Sequence, residues 1–329
     1  MLFEKDCKKT NILLTGGTGF FGRALLRTWL EPVNVGQKNL QVCVLSRNPE
    51  VFLKNYPEFK YQSWLTFHQG DILNKNTLPK EREFSHILHA ATDSTLGPQL
   101  SPLNRYLQIV DGTRNILDYA VNNNVSRFLL TSSGGVYGSQ PEGMSEIPEN
   151  YNGFPDPLCS ENAYSVAKRC AEHICTLYRN SFGLQTVIAR CFTFVGKDLP
   201  LNSHFAIGNF IRDALYRTEI LVNGDGRAVR TYLDQRDLAH WLINILHNGK
   251  DGEAYNVGSD YQITIENLAN LVRDSIAPDK NVRIISQLNR NENRKRYVPD
   301  IRKAKKELEL EIKYSLRDSI IKSIENIKI

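Results

Sequence analysis

The chain has 329 residues, with 41 Lys+Arg against 36 Asp+Glu and a formal charge of +5. At 41% hydrophobic and 23% charged residues the composition is that of an ordinary globular protein, and no stretch approaches the ~18 to 20 consecutive apolar residues of a membrane span. Disorder, a fibrous repeat and a spanning helix are excluded, and the weak positive excess is no nucleic-acid signature.

From Met1 to Lys9 charges of both signs replace the apolar core of a secretion signal. Cys7, Cys43, Cys159, Cys170, Cys175 and Cys191 show no CxxC spacing and no histidines placed to complete a zinc site. The expectation is a cytoplasmic protein without a metal, its cysteines reduced and acting as small buried hydrophobes. β-type runs follow at Asn11–Thr15, Leu40–Leu45, Trp64–His68, His86–His89, Arg127–Thr131 and Gln185–Arg190, separated by helix-length intervals. Short apolar runs closed by Gly, Ser or Asp suit strands covered on both faces, which predicts an α/β fold with a doubly wound parallel sheet of Rossmann type. After Phe192 the rhythm loosens, with helices expected at Ala206–Tyr216, Asp237–His247 and Ile265–Ile276. The division expected is 1–191 for the sheet region and 192–329 for a smaller mixed α/β region, with chain crossovers between them.

The first strand runs into Thr15-Gly16-Gly17-Thr18-Gly19-Phe20-Phe21-Gly22 and then an amphipathic helix. This context gives the glycines a physical reason. Gly16 makes a tight turn, Gly19 lets backbone approach a pyrophosphate, Gly22 allows close helix packing, and helix N–H groups face the phosphates. Thr18, Phe20 and Phe21 share that site. The second strand ends in Ser46-Arg47 where an acidic residue would take an adenosine ribose hydroxyl; Arg47 offers a fork to a 2′-phosphate, so NADP(H) is favoured over NAD(H). In Gly70-Asp71-Ile72, Asp71 either meets the adenine amino group or is an ordinary turn aspartate.

The fifth strand ends in Thr131-Ser132-Ser133-Gly134-Gly135, and later comes Tyr164-Ser165-Val166-Ala167-Lys168. Tyr164 and Lys168 lie at i and i+4 on one helical face. An ammonium close to a phenol favours the phenolate, which makes a group able to move a proton near neutral pH. Ser133 can hold a substrate oxygen against Tyr164. Tyr-x-x-x-Lys alone is a common surface pair; its order after a nucleotide turn and a hydroxyl-rich strand end makes it specific.

On these motifs the chain resembles the extended short-chain dehydrogenase/reductase family, in particular its nucleotide-sugar epimerases, dehydratases and 4-ketoreductases, over nearly its whole length. Leu88-His89-Ala90-Ala91 also fits, and the resemblance implies that Ala90 and Ala91, with Ile72, Thr131 and Cys191, line the cofactor. It further implies substrate contacts from Thr92, Ser133, Gly134, Thr193, Asn209, Arg230 and Arg290, the two arginines pairing with a nucleoside diphosphate. Region 1–191 then binds the dinucleotide and 192–329 the sugar nucleotide. A homodimer through the helices at Pro102–Asn122 and Ser160–Ser181 is implied as well, with neither nucleic acid nor membrane as partner.

Departures from the family pattern narrow the chemistry. Gly134 and Gly135 stand where 4,6-dehydratases carry an Asp-Glu pair, which disfavours water elimination. Gln108-Ile109-Val110-Asp111 and Thr193 replace asparagines frequent in relatives. The reading ranked first is an NADPH-dependent 4-keto-6-deoxysugar reductase serving surface-polysaccharide synthesis, next to a 4-epimerase with tightly bound NAD. A non-catalytic nucleotide-binding scaffold is the third alternative, and it fits poorly with the retention of Ser133, Tyr164 and Lys168. RNA binding is disfavoured by Glu292, Asp300 and Glu307 interleaved among the basic residues near the C-terminus.

Overall fold

The computed structural model describes residues 10–31, 39–80, 83–92, 100–203, 205–286 and 295–325. In chain order they form β1 (Thr10–Thr15), α1 (Phe20–Leu30), β2 (Leu40–Ser46), α2 (Pro49–Asn55), β3 (Leu65–Gln69), β4 (His86–His89), α3 (Pro102–Asn122), β5 (Arg127–Ser133), α4 (Ala163–Phe182) and β6 (Gln185–Cys191). There follow β7 (Phe194–Val195), α5 (Ala206–Tyr216), β8 (Glu219–Val222), β9 (Val229–Arg230), β10 (Leu233–Asp234), α6 (Gln235–Asn248) and β11 (Ala254–Val257). The last elements are β12 (Ile263–Thr264), α7 (Ile265–Ile276), β13 (Asn281–Ile284), β14 (Arg296–Tyr297), α8 (Arg302–Leu308) and α9 (Leu316–Ile324).

The chain divides into two compact units. The first is Met1–Val136, Pro155–Arg190 and Ala239–Tyr255; the second is Tyr137–Phe154, Cys191–Leu238 and Asn256–Ile329. Residues 137–154 thus group with the later part of the chain and 239–255 with the earlier part.

The first unit is built on a seven-stranded sheet in the order β11-β6-β5-β4-β1-β2-β3. The pairs β1–β2, β1–β4, β2–β3 and β4–β5 are parallel. Ile12, Leu13 and Leu14 of β1 and Phe128, Leu129 and Leu130 of β5 are wholly buried, as unbroken apolar runs in a sheet covered on both faces must be. One face packs Leu13, Ile87, Phe128 and Leu130 against Ile116 and Leu117 of α3 and Ala167, Ala171 and Cys175 of α4. Successive parallel strands need long crossovers, which α1, α3 and α4 supply. The strand order reverses beside β1, so the carboxyl ends of β1 and β4 open the crevice where doubly wound sheets take ligands.

Local chemistry sets the helix ends. Ser101 caps α3 by accepting the Asn104 N–H at 3.2 Å, with Pro102 at the first helical position. α4 stops at Gly183, whose φ of 70° is left-handed. The helices expected at Pro102–Asn122, Ala206–Tyr216 and Ile265–Ile276 have those limits. Ser160–Asn162, expected to open α4, form a separate 3₁₀ turn, because the Ala163 N–H bonds back to Ser160.

In the second unit short strands predominate. β9 lies between β12 and β14, β7 pairs in parallel with β10, and β8 with β13. Asn256 is its buried strut: Nδ2 donates to the carbonyls of Ile147 and Asp300 at 2.8 and 3.0 Å, and Oδ1 accepts the Tyr137 hydroxyl at 2.8 Å. Asp237, at the start of α6 and 1% exposed, accepts the backbone N–H groups of Lys313 and Tyr314 on Oδ2 at 3.1 and 3.2 Å. Burial pushes its carboxyl up to about 6, against those two N–H groups, which pull it down.

Cysteines correct one expectation. Cys43, Cys175 and Cys191 are buried, but Cys159 and Cys170 are only half-buried. Cys159 sits in the loop before α4 with its thiol donating to Glu161 at 3.0 Å, and so fills no core space. Cys7 lies outside the described residues.

Candidate functional site

The glycine turn after β1 is shaped by what a side chain would strike. Gly16 has φ +72°, and a Cβ there would lie 2.5 Å from the Ala90 carbonyl; at Gly22 it would lie 2.2 Å from the Gly17 Cα. At Gly19 the same test meets only the Gly16 oxygen at 3.3 Å. The Gly19 N–H closes the turn on the Gly16 carbonyl at 3.0 Å, and α1 begins with no side-chain hydrogen bond capping Gly19. A tight turn with an open side, leading into a helix N-terminus, fits a dinucleotide pyrophosphate. Thr18, Phe20 and Phe21 are half-buried around it, the two rings 6.0 Å apart.

Beside the turn, Ser46 is buried and its Oγ accepts the Asn48 N–H at 3.3 Å, while Arg47 is exposed at the end of β2. Asp71 has its Oδ1 accepting the Leu73 N–H and its own N–H on Thr77 Oγ1, both at 2.9 Å. These bonds shape the turn after β3. Ile72 is buried against Gly112, where a Cβ would fall 2.5 Å from its Cδ1, and its carbonyl takes Asn115 Nδ2 at 2.9 Å. Ala90 and Ala91 donate their N–H groups to the Thr15 carbonyl and hydroxyl at 3.2 and 3.3 Å, so β4 and the turn are tied together.

The residues expected at the carboxyl end of β5 meet α4 in this same unit. Lys168 is 3% exposed, and its Nζ donates to the Thr131 carbonyl and to Thr92 Oγ1, each at 2.8 Å. Its nitrogen is 5.9 Å from the centre of the Tyr164 ring one turn earlier. Ser133 Oγ accepts the Gly135 N–H at 3.1 Å, and Gly134 opens a 3₁₀ turn. A Cβ at Gly135 would come within 2.5 Å of Ser165 Oγ, so this backbone leaves no room for a side chain without movement of that serine. The arrangement can place a hydroxyl, a phenol and a fixed ammonium around one oxygen.

Three partners were not singled out from sequence. Glu172, one turn beyond Lys168, accepts Ser132 Oγ at 2.5 Å and pairs with Arg190 at 2.8 Å. Its spacing, four residues after the lysine on the same face, is the signal that was available. Ser132, between Thr131 and Ser133, is thereby held from behind. His89 is wholly buried between Thr15 and Thr113, and burial with the Lys168 charge lowers it to about 3, which leaves a neutral ring at any ordinary pH.

The remaining expected residues lie in the second unit. Cys191 is buried at the end of β6. Thr193 donates its hydroxyl to the Thr231 carbonyl, and its own carbonyl takes the Leu233 N–H at 3.0 Å. Asn209 Oδ1 accepts from Arg212 at 2.9 Å. Arg230, on the central strand β9, donates through Nη1 to the carbonyls of Val229 and Lys295 at 2.9 and 3.2 Å and lies over the Tyr297 ring. Arg290 lies outside the described residues. No group of three or more His, Cys, Asp or Glu suited to a metal occurs among the described residues.

A model of the family described as NAD dependent epimerase/dehydratase matches residues 12–258. The chain is similar to UDP-glucuronic acid decarboxylase 1 of Arabidopsis thaliana, with 28% identity over 328 residues, 98% of this chain and 70% of the relative. Among solved structures it is similar to a dTDP-glucose 4,6-dehydratase of Streptomyces venezuelae with NAD bound, at a TM-score of 0.81, 24% identity and 96% coverage of each chain. It is also similar to a UDP-glucuronic acid 4-epimerase of Bacillus cereus in complex with NAD, at a TM-score of 0.79 and 21% identity, covering 95% of this chain and 97% of that one.

Proposed function

We propose, from the premise that the chain belongs to the NAD dependent epimerase/dehydratase family, that it acts on a nucleoside-diphosphate sugar at C4, as an NADPH-dependent reductase of a 4-keto-6-deoxy sugar. The observation that carries this reading is Lys168 held between the Thr131 carbonyl and Thr92 Oγ1, one helical turn from Tyr164. The nicotinamide ring, when bound, supplies the hydride. The chain's own residues manage position and protons. Ser133 Oγ orients the sugar oxygen, Tyr164 gives that oxygen its proton, and Lys168 stabilises the phenolate left behind. Arg230, with Nη1 anchored on the backbone carbonyls of Val229 and Lys295, presents its guanidinium to a diphosphate. Gly134 and Gly135 offer no carboxyl pair to remove water, which favours a plain reduction over elimination. Arg47, exposed where an acidic residue would read NAD, favours the 2′-phosphate of NADP.

A second reading, a 4-epimerase retaining NAD, is favoured by the NAD-bound neighbours. The decarboxylases among the relatives widen the substrates to test: a sugar acid oxidised at C4 becomes a β-keto acid, which loses CO₂ readily. A homodimer through α3 and α4 accompanies the proposal, with Leu103, Leu107 and Leu177 exposed on those helices. The test is the absorbance and mass of any co-purifying nucleotide, then NADPH consumption with a 4-keto sugar nucleotide and product analysis with UDP-glucuronic acid. Consumption of NADPH by a protein purified empty supports the reductase; tightly held NAD with epimerised product overturns it in favour of the epimerase. Tyr164→Phe should lower turnover at least ~100-fold with nucleotide affinity kept, and undiminished turnover would refute the assignment of Tyr164.

A further inference from the structure

His89 closes β4, with its side chain in the sheet interior. Nδ1 stands 2.7 Å from Thr15 Oγ1, and Nε2 stands 3.3 Å from Thr113 Oγ1. Thr15 Oγ1 already accepts the Ala91 N–H at 3.3 Å. A hydroxyl has one proton and two acceptor lone pairs; one lone pair faces that N–H, and the 2.7 Å separation is the length of a bond donated by a hydroxyl, so its proton is assigned to Nδ1. The ring proton is then assigned to Nε2 and points at Thr113. A charged ring would set a second proton against the Thr15 hydroxyl, and burial beside the Lys168 ammonium opposes that state.

The same residue reaches the other way through its backbone. The His89 carbonyl accepts Thr131 Oγ1 at 3.1 Å, and the Thr131 carbonyl accepts Lys168 Nζ at 2.8 Å. Lys168 also bonds Thr92, in the stretch that follows His89. Thr15 immediately precedes Gly16, whose backbone is pressed against the Ala90 carbonyl. Three hydrogen bonds, joined through the frames of His89 and Thr131, thus link the residue that starts the glycine turn to the buried lysine, with His89 at the middle.

We propose that His89 is a positioning residue that couples the dinucleotide turn to Lys168, so that the cofactor cradle and the proton-handling group are set by one strand end. The roles of turn and lysine rest on the functional reading above; the coupling itself rests on the hydrogen bonds. It follows that deleting either side-chain end of the series should disturb both cofactor binding and the chemical step, which a local packing defect would not do.

Two measurements test this. Long-range ¹H–¹⁵N spectra of the full chain, with His89 assigned by its disappearance in His89→Gln, should show a neutral ring protonated on Nε2 from pH 5.5 to 8. A charged ring or an Nδ1-protonated ring in that range overturns the assignment. The second measurement compares Thr15→Val, nearly isosteric with threonine, with Thr15→Ser, His89→Leu and His89→Gln, each confirmed as folded by circular dichroism. Thr15→Val and His89→Leu should each weaken binding of the preferred nicotinamide nucleotide about tenfold and lower kcat at saturating cofactor about tenfold, the range set by one buried hydrogen bond. Thr15→Ser and His89→Gln should stay within about twofold of the wild type, and the Thr15→Val/His89→Leu pair should be no worse than His89→Leu. Variants that lose only melting temperature, or a pair whose losses multiply, overturn the coupling. If the wild type turns over no sugar nucleotide, the functional reading falls on its own, while the imidazole spectrum and cofactor affinity still decide the coupling.

Discussion

Asn256→Ala removes one side chain that makes three hydrogen bonds inside the second unit. The Tyr137 hydroxyl and the Asp300 carbonyl each lose a buried partner, at about 1–3 kcal/mol apiece. The Ile147 carbonyl loses less, because it keeps the Asp300 N–H at 2.9 Å. The total is about 3–5 kcal/mol, a large fraction of the roughly 5–15 kcal/mol that holds a domain folded. Asn256→Asp sharpens the test. It keeps the acceptor for Tyr137 but turns two donors into a carboxylate facing two carbonyl oxygens, near Glu149, which burial already raises above the ordinary carboxylate range. Aspartate should therefore be worse than alanine at this position. Tyr137→Phe alone should cost about 1–2 kcal/mol, and its combination with Asn256→Ala should cost less than the sum because both remove the same bond. Urea unfolding of the full chain followed by circular dichroism reads all four proteins. An Asn256→Ala cost below about 1 kcal/mol, or an aspartate milder than the alanine, refutes the strut.

Gly19→Ala should leave the melting temperature nearly unchanged and weaken cofactor binding about tenfold or more, whereas Gly22→Ala should lower both, since its Cβ would fall 2.2 Å from the Gly17 Cα; calorimetry with nucleotide titration separates the two. Arg47→Ala should reduce NADPH affinity about tenfold with NADH affinity unchanged, as measured by fluorescence titration, and equal loss of both would remove the case for NADP. Asp237 predicts a pH dependence: its carboxyl rises from 3.8 to about 6 on folding, so the folded state resists an ionisation that the unfolded state undergoes freely. Stability should fall by about 3 kcal/mol as pH rises from about 4 to 6 on account of this group. Asp237→Asn should flatten that fall in urea midpoints taken across the range.

Six strands of the large sheet were legible because they are apolar runs ended by turn residues; β11 was not, since four residues far along the chain join the sheet only through tertiary pairing. The strands of the second unit were not, since β7, β9, β10, β12 and β14 have two residues each and a pair of residues carries no period. β9 exists because Val229 and Arg230 find Thr264 and Ile263 on one side and Arg296 and Tyr297 on the other, a matter of tertiary register. Tyr164, Lys168 and Ser133 could be read from spacing on one helix and one strand end. What holds them could not: Glu172 finds Ser132 forty positions away and His89 finds Thr15 seventy-four away, and such pairings appear only when strands are side by side. The buried role assumed for every cysteine failed at Cys159 and Cys170 because composition says nothing about which apolar residues a loop or a helix flank leaves half outside.

The interleaving of the two units bears on how the molecule can be made and inherited. Each consists of three chain segments, and any single cut leaves at least one of them incomplete. A ribosome delivering ~5–20 residues per second presents β11, the last strand of the large sheet, roughly 3 to 12 seconds after β6. Until then one edge of that sheet has no neighbour, while much of the second unit has already emerged. Gene fusion or exchange of the later unit as one contiguous block would carry residues 239–255 away from the sheet they complete. New properties of the second unit in such an architecture must therefore come from changes within segments, because that unit is not a transferable cassette.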